Sequence, residues 1–321
     1  MQNFKIFITH DLISSGIDLL KSNNIIVSKW QGPYPITKNN LIMNAFDCDA
    51  LLCSVADKID NEVIDSISNL KIIANNAVGF DNIDISHTKS KNIFVSNTPD
   101  TLSQSVAELT ITLLLSYSKN IFKFNNWLRD GHWKTWEPTL FLGQELFGKT
   151  IGIVGMGDIG KKVASICHAF GMKIIYHSRI DIEEIDLKYQ TCNSELSYVL
   201  KSSDFISVHL DLNQNTKNFF TYKEFSMMQR SAIFINTSRG LIHSEIDLIK
   251  ALNNKLIAGA LLDVTNPEPI QQDSPLLSME NVLVMPHIGS ATVEARNKMA
   301  ITASWNVIDA SKGLRPRNSI Y

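Results

Sequence analysis

A glycine-rich turn with the sequence Gly155-Met156-Gly157-Asp158-Ile159-Gly160 follows directly after an apolar run at residues 151–154. A strand, a glycine turn and a helix in this order form a cradle for a pyrophosphate. The backbone can approach the phosphates closely, and the N–H groups and positive dipole end of the helix favour an anion. Apolar residues recur at helical spacing from residue 161 to 170. The sequence therefore predicts a dinucleotide-binding turn, and the alternative is a glycine-rich turn without a ligand.

Three side chains suited to chemistry follow predicted strands in the second half of the chain: Arg239, Glu268 and His287. In α/β folds, ligands bind at the carboxyl ends of the strands. Arg239 offers a planar fork that matches a carboxylate. Glu268 could orient and charge His287, which could then give a proton to a carbonyl oxygen. Taken singly, each has a structural alternative: an ion pair for the arginine, a surface turn for the glutamate and a buried core position for the histidine.

The end of the strand that follows the glycine turn, Tyr176-His177-Ser178-Arg179, carries no carboxylate. A dinucleotide fold usually has an acid here that accepts from the ribose 2′-OH. Its absence removes repulsion against a 2′-phosphate, to which Ser178 can donate a hydrogen bond and with which Arg179 can pair. The sequence therefore predicts a preference for NADP(H), with NAD(H) possible. The alternative is that Arg179 is a solvated loop charge.

Two sets of alternating strand and helix patterns position these motifs. Strands are predicted near residues 4–9, 25–28, 50–53, 71–75 and 93–96, and then near residues 150–154, 173–177, 205–209, 232–236, 257–263 and 282–285. A long helical stretch at residues 101–126 and a segment with Trp127, Trp133 and Trp136 separate the two sets, and a last helix spans residues 292–311. Such alternation implies parallel sheets.

The predicted fold class is α/β, with two doubly wound parallel-sheet domains. A Rossmann cofactor domain at residues 99–288 is inserted in a flavodoxin-like substrate domain made of residues 1–98 and 289–321. The 321 residues suffice for two domains of ordinary size.

Composition limits the function classes. The chain is 44% hydrophobic and 19% charged, as in soluble globular proteins, and its net charge of −2 predicts neither a nucleic-acid nor a membrane partner. No apolar stretch reaches the roughly 18 residues of a membrane span, and no signal peptide is recognisable. The cysteines show neither CxxC spacing nor clustering with histidines, which predicts reduced thiols, no metal site and a cytoplasmic location. They are Cys48, Cys53, Cys167 and Cys192.

Over nearly its whole length the sequence resembles the D-isomer-specific 2-hydroxyacid dehydrogenases. The matching segments, in chain order, are Asn76-Ala77-Val78-Gly79-Phe80-Asp81-Asn82-Ile83-Asp84, Asn97-Thr98-Pro99, Ser105-Val106-Ala107-Glu108, Gly131-His132-Trp133-Lys134-Thr135-Trp136, the glycine turn, and the segments of Arg239, Asp263 to Glu268, and His287. Their order and mutual spacing are far more specific than the glycine turn alone.

The resemblance implies roles for these positions. Arg239 would bind the substrate carboxylate and polarise the reacting carbonyl, and His287, paired with Glu268, would be the acid in reduction and the base in oxidation. Backbone N–H groups of Val78 and Gly79 would also hold the carboxylate, since successive amides can bind an anion. Asp263 would lie near the nicotinamide. The implied cofactor-binding set is Gly155, Gly157, Asp158, Ile159, Gly160, Ser178, Arg179, Thr237, Ser238, Asp263, His287 and Gly289.

The sequence at residues 177–179 resembles members of the family that use NADPH to reduce glyoxylate and hydroxypyruvate. The predicted activity is therefore reduction of a small 2-oxoacid to the D-2-hydroxyacid by hydride transfer. The resemblance also implies a homodimer formed through an arm at about residues 101–148, which would account for its tryptophans. Ordinary core packing is the alternative for those tryptophans.

Two other functions stay open: a phosphoglycerate dehydrogenase-like NAD enzyme, and a non-catalytic NAD(P)-sensing protein like the corepressors that resemble this family. The sequence also departs from the family at two loops. Asp211 stands where a proline is common, and Thr265 stands where an aromatic residue is common. The shapes of both loops are therefore open.

Overall fold

The computed structural model describes residues 4–321, which divide into two compact units. One unit contains residues 4–102 and 291–321, and the other contains residues 103–290. Every strand pair in both sheets is parallel, which confirms the predicted α/β class with two parallel sheets. Between residues 4 and 321, no helix combines the length and the apolar character that a membrane span requires.

The first unit is built on a five-stranded sheet in the order β2-β1-β3-β4-β5. Its strands are β1 Lys5–Ile8, β2 Ile26–Lys29, β3 Ala50–Cys53, β4 Ile72–Asn75 and β5 Phe94–Ser96. The helices between these strands are α1 Ser14–Ser22, α2 Lys38–Ala45, α3 Asn61–Ser66 and α4 Ile85–Ser90. Successive side chains of a strand point to opposite faces. Leu51 and Ile73 accordingly join one apolar cluster, whereas Leu52 and Ile72 join another.

The second unit is built on a six-stranded sheet in the order β11-β10-β9-β8-β6-β7. Its strands are β6 Thr150–Val154, β7 Lys173–His177, β8 Phe205–Val208, β9 Ile233–Asn236, β10 Gly259–Leu262 and β11 Val282–Val284. Its helices are α5 Ser103–Ser118, α6 Ile121–Arg129, α7 Asp158–Ala169, α8 Glu183–Tyr189, α9 Leu196–Ser202, α10 Tyr222–Met227 and α11 Glu245–Asn253. The strand order changes direction between β6 and β8. Such a switch point is where open α/β sheets bind their ligands.

Two predicted helices have different bounds in the structure. The single stretch predicted at residues 101–126 is two helices, α5 and α6, because the chain turns at Asn120, whose φ is 54°. The helix after the glycine turn begins at Asp158 rather than at residue 161. Asp158, Ile159 and Gly160 therefore form the first turn of α7.

The last helix, α12 Val293–Ser311, returns to the first unit and packs along α1. The Thr292 side chain accepts the N–H of Ala295 and caps its start. Ser304 Oγ donates to the Gly16 carbonyl over 3.0 Å, and a Cβ at Gly16 would lie 3.0 Å from the Ala300 carbonyl oxygen. The small residue thus allows the two helices to approach closely.

Candidate active site

The glycine turn lies at the carboxyl end of β6, at the switch point of the second sheet. Gly155 has a φ of 97°, a conformation that favours glycine. A Cβ at this position would also lie 2.5 Å from the His209 carbonyl oxygen, and one at Gly160 would lie 2.3 Å from the Gly155 carbonyl oxygen. Larger residues at these two positions would collide with backbone atoms.

The open side of this turn fits the phosphates of a dinucleotide. Gly157 is the N-cap of α7, and no side chain caps the helix there. A Cβ at Gly157 would meet no atom within 4 Å. Among the residues described, the N–H groups of Asp158, Ile159 and Gly160 donate to no protein acceptor. Unsatisfied N–H groups at a helix N-terminus are suited to bind an anion.

The strand end at Ser178 is held by Asn193. The Ser178 N–H donates to Asn193 Oδ1, and Asn193 Nδ2 donates to the Ser178 carbonyl, each over 2.9 Å. Asn193 Nδ2 also donates to Asp181 Oδ1 over 3.0 Å. Arg179 is exposed. Sequence reasoning missed Asn193 because it lies fifteen residues beyond Ser178, after α8.

The Arg239 turn follows β9 and is organised by the buried Asn236. The Asn236 Oδ1 atom accepts the N–H and the Oγ–H of Ser238, over 3.0 and 2.7 Å. Its Nδ2 donates to the Arg239 carbonyl over 2.9 Å and to His243 Nδ1 over 3.0 Å. Burial lowers the pKa of His243 to about 4, so the ring stays neutral and can accept this bond near neutral pH. Asn236 and His243 were also missed, although a polar residue after three apolar ones in β9 is a signal.

Backbone packing joins the Arg239 turn to the loop that carries Glu268. A Cβ at Gly240 would lie 1.9 Å from the Thr265 carbonyl oxygen, so the two segments touch directly. Arg239 Nη1 donates to the Ser238 carbonyl over 3.0 Å. Thr237, predicted to line the cofactor site, is buried, and its hydroxyl lies 3.0 Å from that of Thr110 in α5.

Glu268 and His287 lie side by side after β10 and β11. His287 Nδ1 is 3.1 Å from Glu268 Oε2. The His287 side chain is 29% exposed and the Glu268 side chain is 40% exposed. A carboxylate oxygen accepts hydrogen bonds, so Nδ1 is the donor of this pair and Nε2 stays outside it. Thr265, at the departure from the family noted above, donates through Oγ1 to the Pro267 carbonyl over 2.8 Å and thereby orders the Glu268 loop.

Asp263 holds the turn that contains His287. Its buried carboxylate accepts the N–H of Ile288 over 2.8 Å and the N–H of Gly289 over 2.7 Å, while the His287 N–H donates to the Asp263 carbonyl over 3.0 Å. Burial raises the pKa of Asp263, and the two N–H donors oppose that rise. His287 has a φ of 53°, a conformation that is uncommon for residues other than glycine. The Asp263 clamp fixes this turn.

Val78 and Gly79 belong to the first unit, in the loop after β4. Both of their carbonyls are engaged: Val78 accepts from Asn97 Nδ2 over 2.8 Å, and Gly79 accepts from Asn75 Nδ2 over 2.7 Å. In the part of the chain that the structure describes, neither N–H donates to a protein acceptor. Two successive amides in this state are suited to an anion.

The second unit therefore gathers its predicted site residues at the carboxyl edge of one sheet. Arg239 follows β9, Asp263 and Glu268 follow β10, and His287 follows β11, and these are three adjacent strands. Among residues 4–321, no three side chains are grouped as metal ligands. A parallel sheet with a glycine turn at its switch point and a histidine–carboxylate pair at the same edge is the arrangement of the Rossmann class of dinucleotide-binding folds.

Comparison with known proteins gives the family. The family model described as "D-isomer specific 2-hydroxyacid dehydrogenase, NAD binding domain" matches residues 111–289. The glyoxylate reductase of Thermococcus litoralis is 41% identical over 320 residues, which cover 98% of this chain and 96% of that protein. The chain belongs to the D-isomer specific 2-hydroxyacid dehydrogenase family, and the resemblance seen in the sequence is confirmed.

Solved structures match the whole chain. A protein of Thermus thermophilus superimposes with a TM-score of 0.93 at 35% identity, covering 99% of this chain and 100% of that one. The NADPH-dependent glyoxylate/hydroxypyruvate reductase of Sinorhizobium meliloti, solved with NADP and malonate, has a TM-score of 0.85 at 28% identity, covering 99% and 97%.

Proposed function

We propose that this protein reduces a small 2-oxoacid, glyoxylate or hydroxypyruvate, to the corresponding 2-hydroxyacid, with the D configuration where the product is chiral, and that it prefers NADP(H). The observation that carries the proposal is the Glu268–His287 pair beside the Arg239 turn, on adjacent strands of the sheet that bears the phosphate turn. Similarity to proteins named glyoxylate reductase supports the choice of substrate class.

Each of these side chains has a separate role in the proposed reduction of the carbonyl group. A bound nicotinamide would supply a hydride to the 2-carbon. His287 gives a proton from Nε2 to the carbonyl oxygen, and the Glu268 carboxylate holds the ring in place through Nδ1. Arg239 pairs with the substrate carboxylate, and the successive amides of Val78 and Gly79 are proposed as an anion-binding site of the first unit. In the reverse direction His287 takes the hydroxyl proton.

The preference for NADP(H) is supported by the end of β7. His177, Ser178 and Arg179 carry no acid, and the Arg179 side chain is exposed. We expect kcat/KM for NADPH to exceed that for NADH by about 10–100-fold, as one or two hydrogen bonds to a charged phosphate would give. Steady-state kinetics with glyoxylate and hydroxypyruvate tests this expectation, and a clear preference for NADH would contradict it.

Steady-state kinetics with other substrates separates this proposal from the two alternative functions. Faster oxidation of 3-phosphoglycerate than of glycerate, with NAD, would favour the phosphoglycerate dehydrogenase-like alternative. An absence of turnover with every 2-oxoacid tested would favour the NAD(P)-sensing binding protein.

We also propose a homodimer that forms through the segment 121–147. No residue of α6 is buried, although the helix is amphipathic. Large apolar side chains of this segment are exposed, namely Ile121, Phe122, Leu128, Trp133, Trp136, Leu142 and Phe147. Exposed apolar surface of this kind is typical of a protein interface.

Light scattering of the wild-type protein should give twice the 36.0 kDa chain mass, and Trp136→Asp should shift the measured mass towards that of the monomer. A wild-type protein that is monomeric at micromolar concentration would contradict the proposal.

A further inference from the structure

The loop that follows β7 is fixed at both ends, and Arg179 lies between the two fixed points. At its start, Asn193 holds the Ser178 backbone through two hydrogen bonds. At its end, the Ile182 N–H donates to Tyr176 Oη over 3.2 Å, and the same hydroxyl donates to Asp186 Oδ1 over 2.8 Å. The guanidinium of Arg179 is therefore carried by a short, anchored loop.

Asn193 is itself placed by backbone contacts along the sheet edge. Its segment forms a parallel bridge with Tyr176, and the Ser194 N–H donates to the Tyr176 carbonyl over 2.9 Å. His177 Nδ1 lies 2.9 Å from the Ser194 carbonyl, to which it must be the donor. Because β7 is the last strand of its sheet, the 193–194 segment covers an otherwise open edge.

The Asn193 amide uses all of its groups on this one loop. Its oxygen accepts from Ser178, and its two N–H donors go to the Ser178 carbonyl and to Asp181 Oδ1. Asp181 is two residues from Arg179, and it is an exposed carboxylate at the end of a strand that otherwise lacks an acid. Among the residues described, no ion pair joins Arg179 to Asp181. The amide keeps this carboxylate engaged.

An unengaged Asp181 carboxylate would oppose the binding of a 2′-phosphate in two ways. It could pair with Arg179 and so remove the cation from the phosphate, or it could repel the phosphate directly. Both effects have the same sign, and both depend on the charge of the carboxylate.

We propose that Asn193 is a positioning residue that sets cofactor selectivity: by holding Asp181, it leaves Arg179 available for the 2′-phosphate of NADP(H). This inference rests on the NADP(H) preference proposed above. The Asn193 side chain bonds to Ser178 and Asp181 and not to the residues proposed for the chemistry. Its effect should therefore appear in the discrimination between the two cofactors rather than in the chemical step.

Equilibrium binding of NADP⁺ and NAD⁺, measured by calorimetry without turnover, tests the inference. Asn193→Ala should raise the Kd for NADP⁺ by about 5–30-fold, the effect of one unscreened charge a few ångströms away, and should leave the Kd for NAD⁺ nearly unchanged. The double variant Asn193→Ala/Asp181→Asn should recover most of the loss, because the liberated group is then uncharged. Asp181→Asn alone should change little.

Asn281→Ala is the matched control, since Asn281 Nδ2 donates to the Ala258 carbonyl over 2.8 Å at the opposite edge of the same sheet. It should leave the ratio of the two Kd values unchanged, and thermal unfolding should show that each variant is folded. A wild-type ratio in Asn193→Ala would overturn the inference, and so would a double variant that recovers nothing. The ratio of the two Kd values in the wild-type protein tests the proposed NADP(H) preference separately from the role of Asn193.

Discussion

Replacing His287 with glutamine is expected to lower kcat for 2-oxoacid reduction by about 10²–10⁴-fold, the range for a lost general acid. Glutamine can still donate a hydrogen bond to a carbonyl oxygen, but it has no proton to transfer. The pairing of Nδ1 with Glu268 Oε2 at 3.1 Å leaves Nε2 as the nitrogen proposed to exchange the proton. Because the histidine is partly exposed, water can restore its proton between turnovers.

The measurement needs kcat and the Kd for the cofactor, because the loss should fall on the chemical step alone. His168→Gln is a suitable control, since it makes the same exchange at an exposed position near the end of α7, and it should keep wild-type turnover. Glu268→Gln keeps an oxygen that can accept from Nδ1 but removes the charge, so its loss should be smaller. Undiminished turnover by His287→Gln would refute the assignment of this residue as the acid.

The fold was predictable where the pattern is local. Strands β6 and β7 have the predicted bounds, because each is an apolar run that ends at a glycine or at polar residues. The parallel class followed from the alternation of strands and helices. The break between α5 and α6 was not predictable in the same way, because it depends on a left-handed conformation at Asn120 within a sequence that is otherwise helical. The sequence pattern puts the start of α7 too late, because glycines are poor helix formers although they are tolerated in the first turn of a helix.

The site was predictable only in part. Arg239, Glu268 and His287 were selected because each follows a strand, and the order of the strands then makes their elements neighbours. Asp263, which holds the His287 turn, was among the predicted residues, but two other residues that hold loops of the site were missed. Asn236 acts through four hydrogen bonds within its own turn, and Asn193 acts on a loop fifteen residues away. Such contacts depend on strand register and on the direction of each side chain, which the spacing of residue types does not record.

Asp263→Asn is the second exchange from which we expect a large effect. The carboxylate accepts one backbone N–H on each oxygen, from Ile288 and from Gly289. Asparagine has one acceptor oxygen, so its NH₂ group would face one of those donors and leave it unsatisfied in a buried position. An unsatisfied buried donor costs about 1–3 kcal/mol of the free energy of unfolding. Removal of a buried charge offsets part of this cost, because burial already raises the pKa of Asp263.

The effect on catalysis should exceed the effect on stability. The lost hydrogen bond loosens the turn that sets the position of His287, and a misplacement of about 1 Å can cost roughly 10²-fold in rate. Asp204→Asn provides the comparison, because Asp204 Oδ2 accepts the Thr150 N–H over 2.9 Å at the amino end of β6, away from the candidate site. Urea unfolding and kcat should separate the two variants: both lose stability, but only Asp263→Asn loses turnover. If Asp263→Asn unfolded more readily and yet kept wild-type kcat, the histidine would be held by its pairing with Glu268 rather than by the clamp beneath it.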